Sequence, residues 1–126
     1  MKYLLDTHVF LWWSDDNRQL SKRARELISK KECFVSVASV WEMAIKVSIG
    51  KLRLASSVST FVERHLDGAG FELLPLRREH AAEVEFLPHH RGDPFDRLLV
   101  AQGKFEELTL ISADAVFDEY EVERVW

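Results

Sequence analysis

Tyr3-Leu4-Leu5-Asp6 is the stretch that decides the fold: three consecutive apolar residues run straight into an aspartate. A short, unbroken apolar run suits a strand buried on both faces of a sheet. A carboxylate where such a strand emerges stands close to the core and needs a partner.

Working outward, the chain alternates strand and helix signals. Ser21 reads as the N-cap of a helix whose apolar stripe is Ala24, Leu27 and Ile28. Cys33 to Val37 reads as a second strand, and Ser39 as the start of a helix through Val40, Ala44, Ile45 and Val47 that stops near Gly50. Val58 to Leu66 is helical until Gly68 and Gly70 break it, Phe71 to Leu76 is strand, and Glu79 to Phe86 is helix before Pro88. Asp93-Pro94 marks another helix start, with Phe95, Leu98, Leu99 and Phe105 on one face. Leu108 to Ser112 is a strand followed by Asp114, and Val122 to Trp126 forms a last edge strand. Repeated β-α alternation predicts the α/β class, a mainly parallel sheet with helices on both faces and right-handed crossovers.

The 126 residues fit one domain, 1–126, with 47% hydrophobic and 30% charged residues, the balance of a soluble globular protein. The single cysteine, Cys33, lies in an apolar run and has no partner for an intramolecular disulfide. The first apolar run is too short for a signal peptide or a membrane span, so a cytoplasmic protein is expected. A net charge of −4 argues against binding nucleic acid through a general basic field. An RNA ligand would need positive charge supplied locally, as by a metal ion.

Four acids fall where ligands bind in such sheets, outside the carboxyl ends of the strands. Asp6 closes the first strand, Glu42 sits in the first turn after the second, Asp96 lies in the first turn of the helix before the late strand, and Asp114 follows that strand. Each has a structural alternative. Ser39 to Glu42 fits a capping box, and Asp93 before Pro94 reads as an N-cap with Asp96 complementing the helix dipole. Together, however, four carboxylates on one edge repel by a few kcal/mol per close pair, at an effective dielectric of about 20. Oxygen-only donors suit Mg²⁺ or Mn²⁺ rather than zinc, and such a cation can activate water for attack on a phosphodiester.

Leu4 through Trp13, Ser36 through Lys46 with Trp41-Glu42, Asp93-Pro94-Phe95-Asp96-Arg97-Leu98-Leu99-Val100-Ala101-Gln102, and Ser112-Ala113-Asp114 together resemble the PIN-domain family, in particular its VapC-like toxin ribonucleases. The resemblance implies a three-layer α/β/α sandwich and a Mg²⁺- or Mn²⁺-dependent endoribonuclease active on structured RNA. It also implies the toxin half of a type II toxin–antitoxin pair, inhibition by a small antitoxin protein, and a homodimer. The family's catalytic and metal-binding acids map onto Asp6, Glu42, Asp96 and Asp114, with Asp93 the alternative for the third.

Thr7 and Ser112 neighbour these acids and could hold a ligand carboxylate, although strand-end hydroxyls more often bond backbone. Lys46, one turn beyond Glu42, suits either an ion pair or a phosphate contact. Arg97, Arg91, Lys51 and Arg53 could extend a positive rim, and His89-His90 reads as loop. Adjacent Trp12 and Trp13 cannot easily share one buried face, so one of them, or Trp41, is available for a base or a partner chain. Two other functions compete. A receiver-like signalling domain also gathers acids at strand ends, but Leu74-Pro75-Leu76 stands where its middle-strand aspartate is required. In a non-catalytic protein-binding module the acids would be only caps.

Overall fold

The computed structural model describes residues 1–126, the side chain of Ala69 excepted. Five strands, β1 Lys2–Leu5, β2 Glu32–Ser36, β3 Glu72–Leu74, β4 Thr109–Ile111 and β5 Arg124–Val125, pair in the order β3-β2-β1-β4-β5, every pair parallel. Six α-helices accompany them: α1 Thr7–Ser14, α2 Lys22–Lys30, α3 Val37–Ser48, α4 Val58–Ala69, α5 Arg78–Glu83 and α6 Pro94–Glu106. Short 3₁₀ turns cover Val84–Phe86 and Ala115–Glu119. The expected α/β sandwich with a parallel sheet is the observed fold.

Period-two alternation divides the core into two layers. Tyr3, Leu5, Cys33, Val35 and Ile111 face a cluster that includes Val9 and Phe10 of α1, Ala24 and Ile28 of α2 and Val62 of α4. Leu4 and Leu110 face the other side, against Leu99 and Val100 of α6 and Val116 and Phe117. Burial pushes the Cys33 thiol up to about 11, with the charge of Glu32 adding to the effect, so it packs as a small hydrophobe.

The order of strands corrects one premise. β3, which ends at Leu74, is an edge strand, and β1 is central. Strand identity along the chain does not fix position in a sheet, because the crossover after α6 returns to the far side of β1.

Several boundaries shift for local reasons. The cap of α3 is Ser36, whose Oγ accepts from the Ala38 N–H at 2.9 Å, so Ser39 lies inside the helix and forms no capping box with Glu42. Helix α1 is absent from the periodicity reading because Thr7 to Trp13 is nearly all apolar and β-branched or aromatic, without a polar stripe. Phe105, assigned to the inner face of α6, is 47% exposed and meets His80 edge-on, since the buried stripe runs through Leu99, Val100 and Gln102 instead.

A polar chain threads the second layer. Gln102, fully buried, accepts from the Ser36 hydroxyl, donates to the Pro75 carbonyl at 3.3 Å and lies 3.4 Å from Nδ1 of buried His80. That Nδ1 also accepts from the Arg77 N–H at 3.0 Å, which puts the ring proton on Nε2, 2.7 Å from Glu106. Among the described residues, no buried side-chain nitrogen or oxygen lacks a partner.

Candidate active site

The chain builds outward from β1 through β2 to β3, then reverses to place β4 and β5 on the other side of β1. Open parallel sheets bind ligands at such a reversal, outside the carboxyl ends of the strands. Asp6 leaves β1 there, its N–H bonded to the Ile111 carbonyl of β4 at 3.0 Å, and Ser112 to Asp114 leave β4 beside it.

Asp6 is buried, 8% exposed, and Oδ2 accepts from the fully buried Ser112 hydroxyl at 2.8 Å. The Ser112 oxygen accepts in turn from the Asp114 N–H at 3.0 Å, linking the two acids through one hydroxyl. Burial raises the Asp6 carboxyl above its ordinary value and the charge of Glu42 adds to this, while the Ser112 bond, His8 and the Thr7 N–H offset part of it.

Glu42 comes from the second turn of α3, not the first as expected, because the helix begins at the Ser36 cap; it is 6% exposed, its Oε2 held by the Lys46 ammonium at 2.8 Å. That hydrogen bond leads in raising Lys46, burial opposes it, and the charges of Glu42, Asp93 and Asp6 contribute further. Beside it, Thr7 donates to Ser39 at 2.8 Å and fastens α1 to α3.

Asp93 caps α6, accepting from the Asp96 N–H at 2.8 Å, while Asp96 Oδ2 accepts from the Asp93 N–H at 3.3 Å. Asp96 is pushed up to about 7, first by burial, then by the charges of Asp93, Asp6 and Asp114, against the pull of the Asp93 N–H. Asp96 therefore feels Asp6 and Asp114, and Asp6 feels Glu42, across the β1/β4 edge. Asp114 itself is exposed, not core-adjacent as its strand-end position suggested, and caps the following 3₁₀ turn through Val116 N–H at 2.9 Å.

Among the described residues, no three acidic, histidine or cysteine side chains stand close enough to form a ready-made metal cluster. The reason is visible in the bonds: Glu42 is drawn to Lys46, Asp96 to the α6 cap and Asp114 to Val116.

Arg97 is turned away from the acids, donating to the Pro88 carbonyl at 2.8 Å and to the Tyr120 hydroxyl at 3.1 Å, and so secures the 88–91 loop. Arg91 pairs with Glu119. Two residues near the site escaped the sequence reading. His8, exposed beside Asp6, shares with Trp12 a cavity that Asp6 and Asp114 also line. Arg124 donates to the Ser112 carbonyl at 3.0 Å and forks Asp118, holding that carboxylate below its usual range. Position after Asp6 was a usable signal for His8. Arg124 had none, since its role depends on β5 pairing with β4.

The PIN domain family model matches residues 3–123. Ribonuclease VapC22 of Mycobacterium tuberculosis (strain ATCC 25618 / H37Rv) is 30% identical over 116 residues, 88% of this chain and 85% of that protein. The fold is similar to a chain in the crystal structure of VapBC2 from Rickettsia felis bound to a promoter DNA fragment, with TM-score 0.74 and 13% identity over 99% of this chain and 98% of that one. It is also similar to a chain of FitAcB from Neisseria gonorrhoeae, with TM-score 0.66 and 19% identity over 98% and 96%. The chain belongs to the PIN-domain family and is VapC-like within it.

Proposed function

We propose that this protein, as one domain over residues 1–126, is a Mg²⁺- or Mn²⁺-dependent endoribonuclease, the toxin of a toxin–antitoxin pair. The observation that carries the reading is the convergence of acids at the sheet's reversal point, where Asp6 feels the charge of Glu42 and Asp96 feels those of Asp6 and Asp114. The name and likeness of Ribonuclease VapC22 support the activity, and the VapBC likeness supports an antitoxin partner. A receiver-like domain and a purely binding module lose their footing to the family membership.

Asp6, Glu42, Asp96 and Asp114 would hold the cation, with Asp93 the alternative third ligand. The donor set fits a hard divalent ion: it is all oxygen, and burial and crowding raise Asp6 and Asp96 as expected of carboxylates lacking a counter-charge. When bound, the ion supplies activation of water and stabilises charge on the phosphodiester. Ser112 orients the Asp6 carboxylate, and Thr7 with Ser39 fixes α1 against α3. Lys46 neutralises Glu42 and is placed to meet a phosphate when that pair opens. Arg97 is left out of this machinery because its guanidinium serves the 88–91 loop.

A homodimer is supported by Trp41, Val47 and Ile49, large apolar residues exposed on and just after α3. A cytoplasmic location fits a chain in which, among the described residues, no helix is long and apolar enough to cross a membrane. The direct test is cleavage of RNA by the purified protein with Mg²⁺, with Mn²⁺ and in excess EDTA. Cleavage with either metal and none in EDTA is the expected result, and undiminished turnover in EDTA rejects the metal reading.

A further inference from the structure

Asp6 and Asp114 open onto a cavity of about 260 Å³ whose remaining walls include His8 and Trp12. On the other side of those same two residues lies a second, larger groove of about 460 Å³, between α1 and the end of α3. That volume lies in the range of sites for small organic ligands. Its walls combine Trp12, Lys46 and Lys51 with Asp15 and Asn17.

Each wall has a structural cause. Trp12 is half-buried and held by Trp126, with ring centroids 5.8 Å apart, so it presents a fixed aromatic surface. Gly50 adopts φ +76° after α3, which allows the Gly50 N–H to bond the Val47 carbonyl at 3.2 Å and the Lys51 N–H to bond the Lys46 carbonyl at 2.8 Å. This Schellman stop folds Lys51 back beside Lys46. Asn17 Oδ1 already accepts from the Gln19 N–H at 2.9 Å, which leaves its amide N–H groups to donate next to the acceptor oxygens of Asp15.

We propose that this groove is a subsite for a nucleotide of single-stranded RNA adjoining the scissile phosphate, a deepening that rests on the nuclease reading above. The chemistry matches the parts of a nucleotide: an aromatic face for an unpaired base, a donor and an acceptor for its edge, and the Lys51 ammonium for a phosphate. Lys51 brings a positive charge to this groove on a chain of net charge −4, beside Lys46, whose ammonium is paired with Glu42. Sharing His8 and Trp12 with the carboxylate cavity makes it the place where a strand continues past the cleavage point.

The experiment measures binding of a fluorescein-labelled, eight-nucleotide single-stranded RNA in EDTA, where metal-dependent cleavage is silent. Trp12→Leu and Lys51→Gln are each expected to weaken binding about fivefold or more, with Trp12→Phe near wild type and Lys30→Gln, a distant exposed lysine, unchanged. Lys51→Gln should also lower the salt dependence of log K by about 0.7. Thermal melts identify the folded variants, and Lys51→Gln keeps the test valid if Trp12→Leu unfolds. Folded variants that bind and cleave as wild type overturn the subsite while leaving the nuclease reading intact. A wild-type protein inert toward RNA in Mg²⁺ and Mn²⁺ overturns the nuclease reading, whereas selective loss of oligonucleotide binding would still support the groove.

Discussion

The hydroxyl of Thr7 donates to that of Ser39 at 2.8 Å across thirty-two residues of chain, and this bond shows that Ser39 is a link between helices and not a helix cap. Glu42 is thereby released from the backbone role that its spacing from Ser39 suggested. Ser36→Ala, which removes the real cap and strands Gln102, is expected to cost more than the roughly 1 kcal/mol of an ordinary capping loss. Ser39→Ala should cost less than Ser36→Ala. Denaturant melts of the two variants check the order, and the reverse order would restore Ser39 as the cap.

Asp6→Asn is expected to abolish RNA cleavage while leaving the metal-free protein as stable as wild type or more so. The amide still accepts from Ser112, and the unfavourable proximity to Glu42 disappears. Parallel cleavage assays and melts in EDTA decide it, since marked unfolding of the variant would make Asp6 a structural residue.

Asp93 and Asp96 share one reciprocal cap but should respond differently. Asp93→Ala loses the oxygen that holds the Asp96 N–H and is expected to cost about 1 kcal/mol with substantial cleavage retained. Asp96→Asn keeps an acceptor for the Asp93 N–H, so the fold should survive while activity and metal affinity fall. A silent, well-folded Asp93→Asn beside an active Asp96→Asn would instead make Asp93 the third ligand.

The raised Asp96 carboxyl fixes the sign of a pH effect. Between its ordinary value of 3.8 and about 7, the folded chain keeps a proton that the unfolded chain releases, so metal-free stability falls as pH rises through this window. Melts in EDTA from pH 4 to 8 should show a steeper decline for wild type than for Asp96→Asn. Mn²⁺ binding, followed calorimetrically in buffers of differing ionisation enthalpy, should release protons below pH 7. Identical pH slopes for the two proteins would reject this assignment.

Gly50→Ala is expected to destabilise the protein by about 1 kcal/mol, the cost of a left-handed conformation for a residue with Cβ. An added Cβ meets nothing within 4 Å, so the cost is conformational and not steric. Gly50→Asn, which tolerates this region better, should cost less, and equal losses in denaturant melts would point to another cause.

What the sequence disclosed followed physical scale. Tyr3 to Leu5, Cys33 to Val37 and the Asp93-Pro94 start are governed by neighbours along the chain, and there strand, strand and cap appear where expected, save that Val37 already belongs to α3. Helix α1 was hidden because burial on most sides erases the polar stripe that periodicity detects. The four acids were legible as strand-end and helix-start residues, but the bonds that occupy them were only partly so. The Lys46 pair follows from helical spacing, whereas the Ser112 bond to Asp6 spans 106 residues and exists only once β4 lies beside β1. Arg97 misled because a basic residue next to a site acid on a helix points about 100° away from it.

The buried polar thread through the second layer has a sense of direction. Ser36 gives its proton to Gln102, Gln102 gives one toward His80, and His80 gives one to Glu106, every donor pointing the same way. No link can be reversed alone, since a turned member would set two donors or two acceptors face to face away from water. The end of β2 and a helix residue sixty-six positions later are therefore energetically coupled: removing either member alone leaves a buried polar group without its partner.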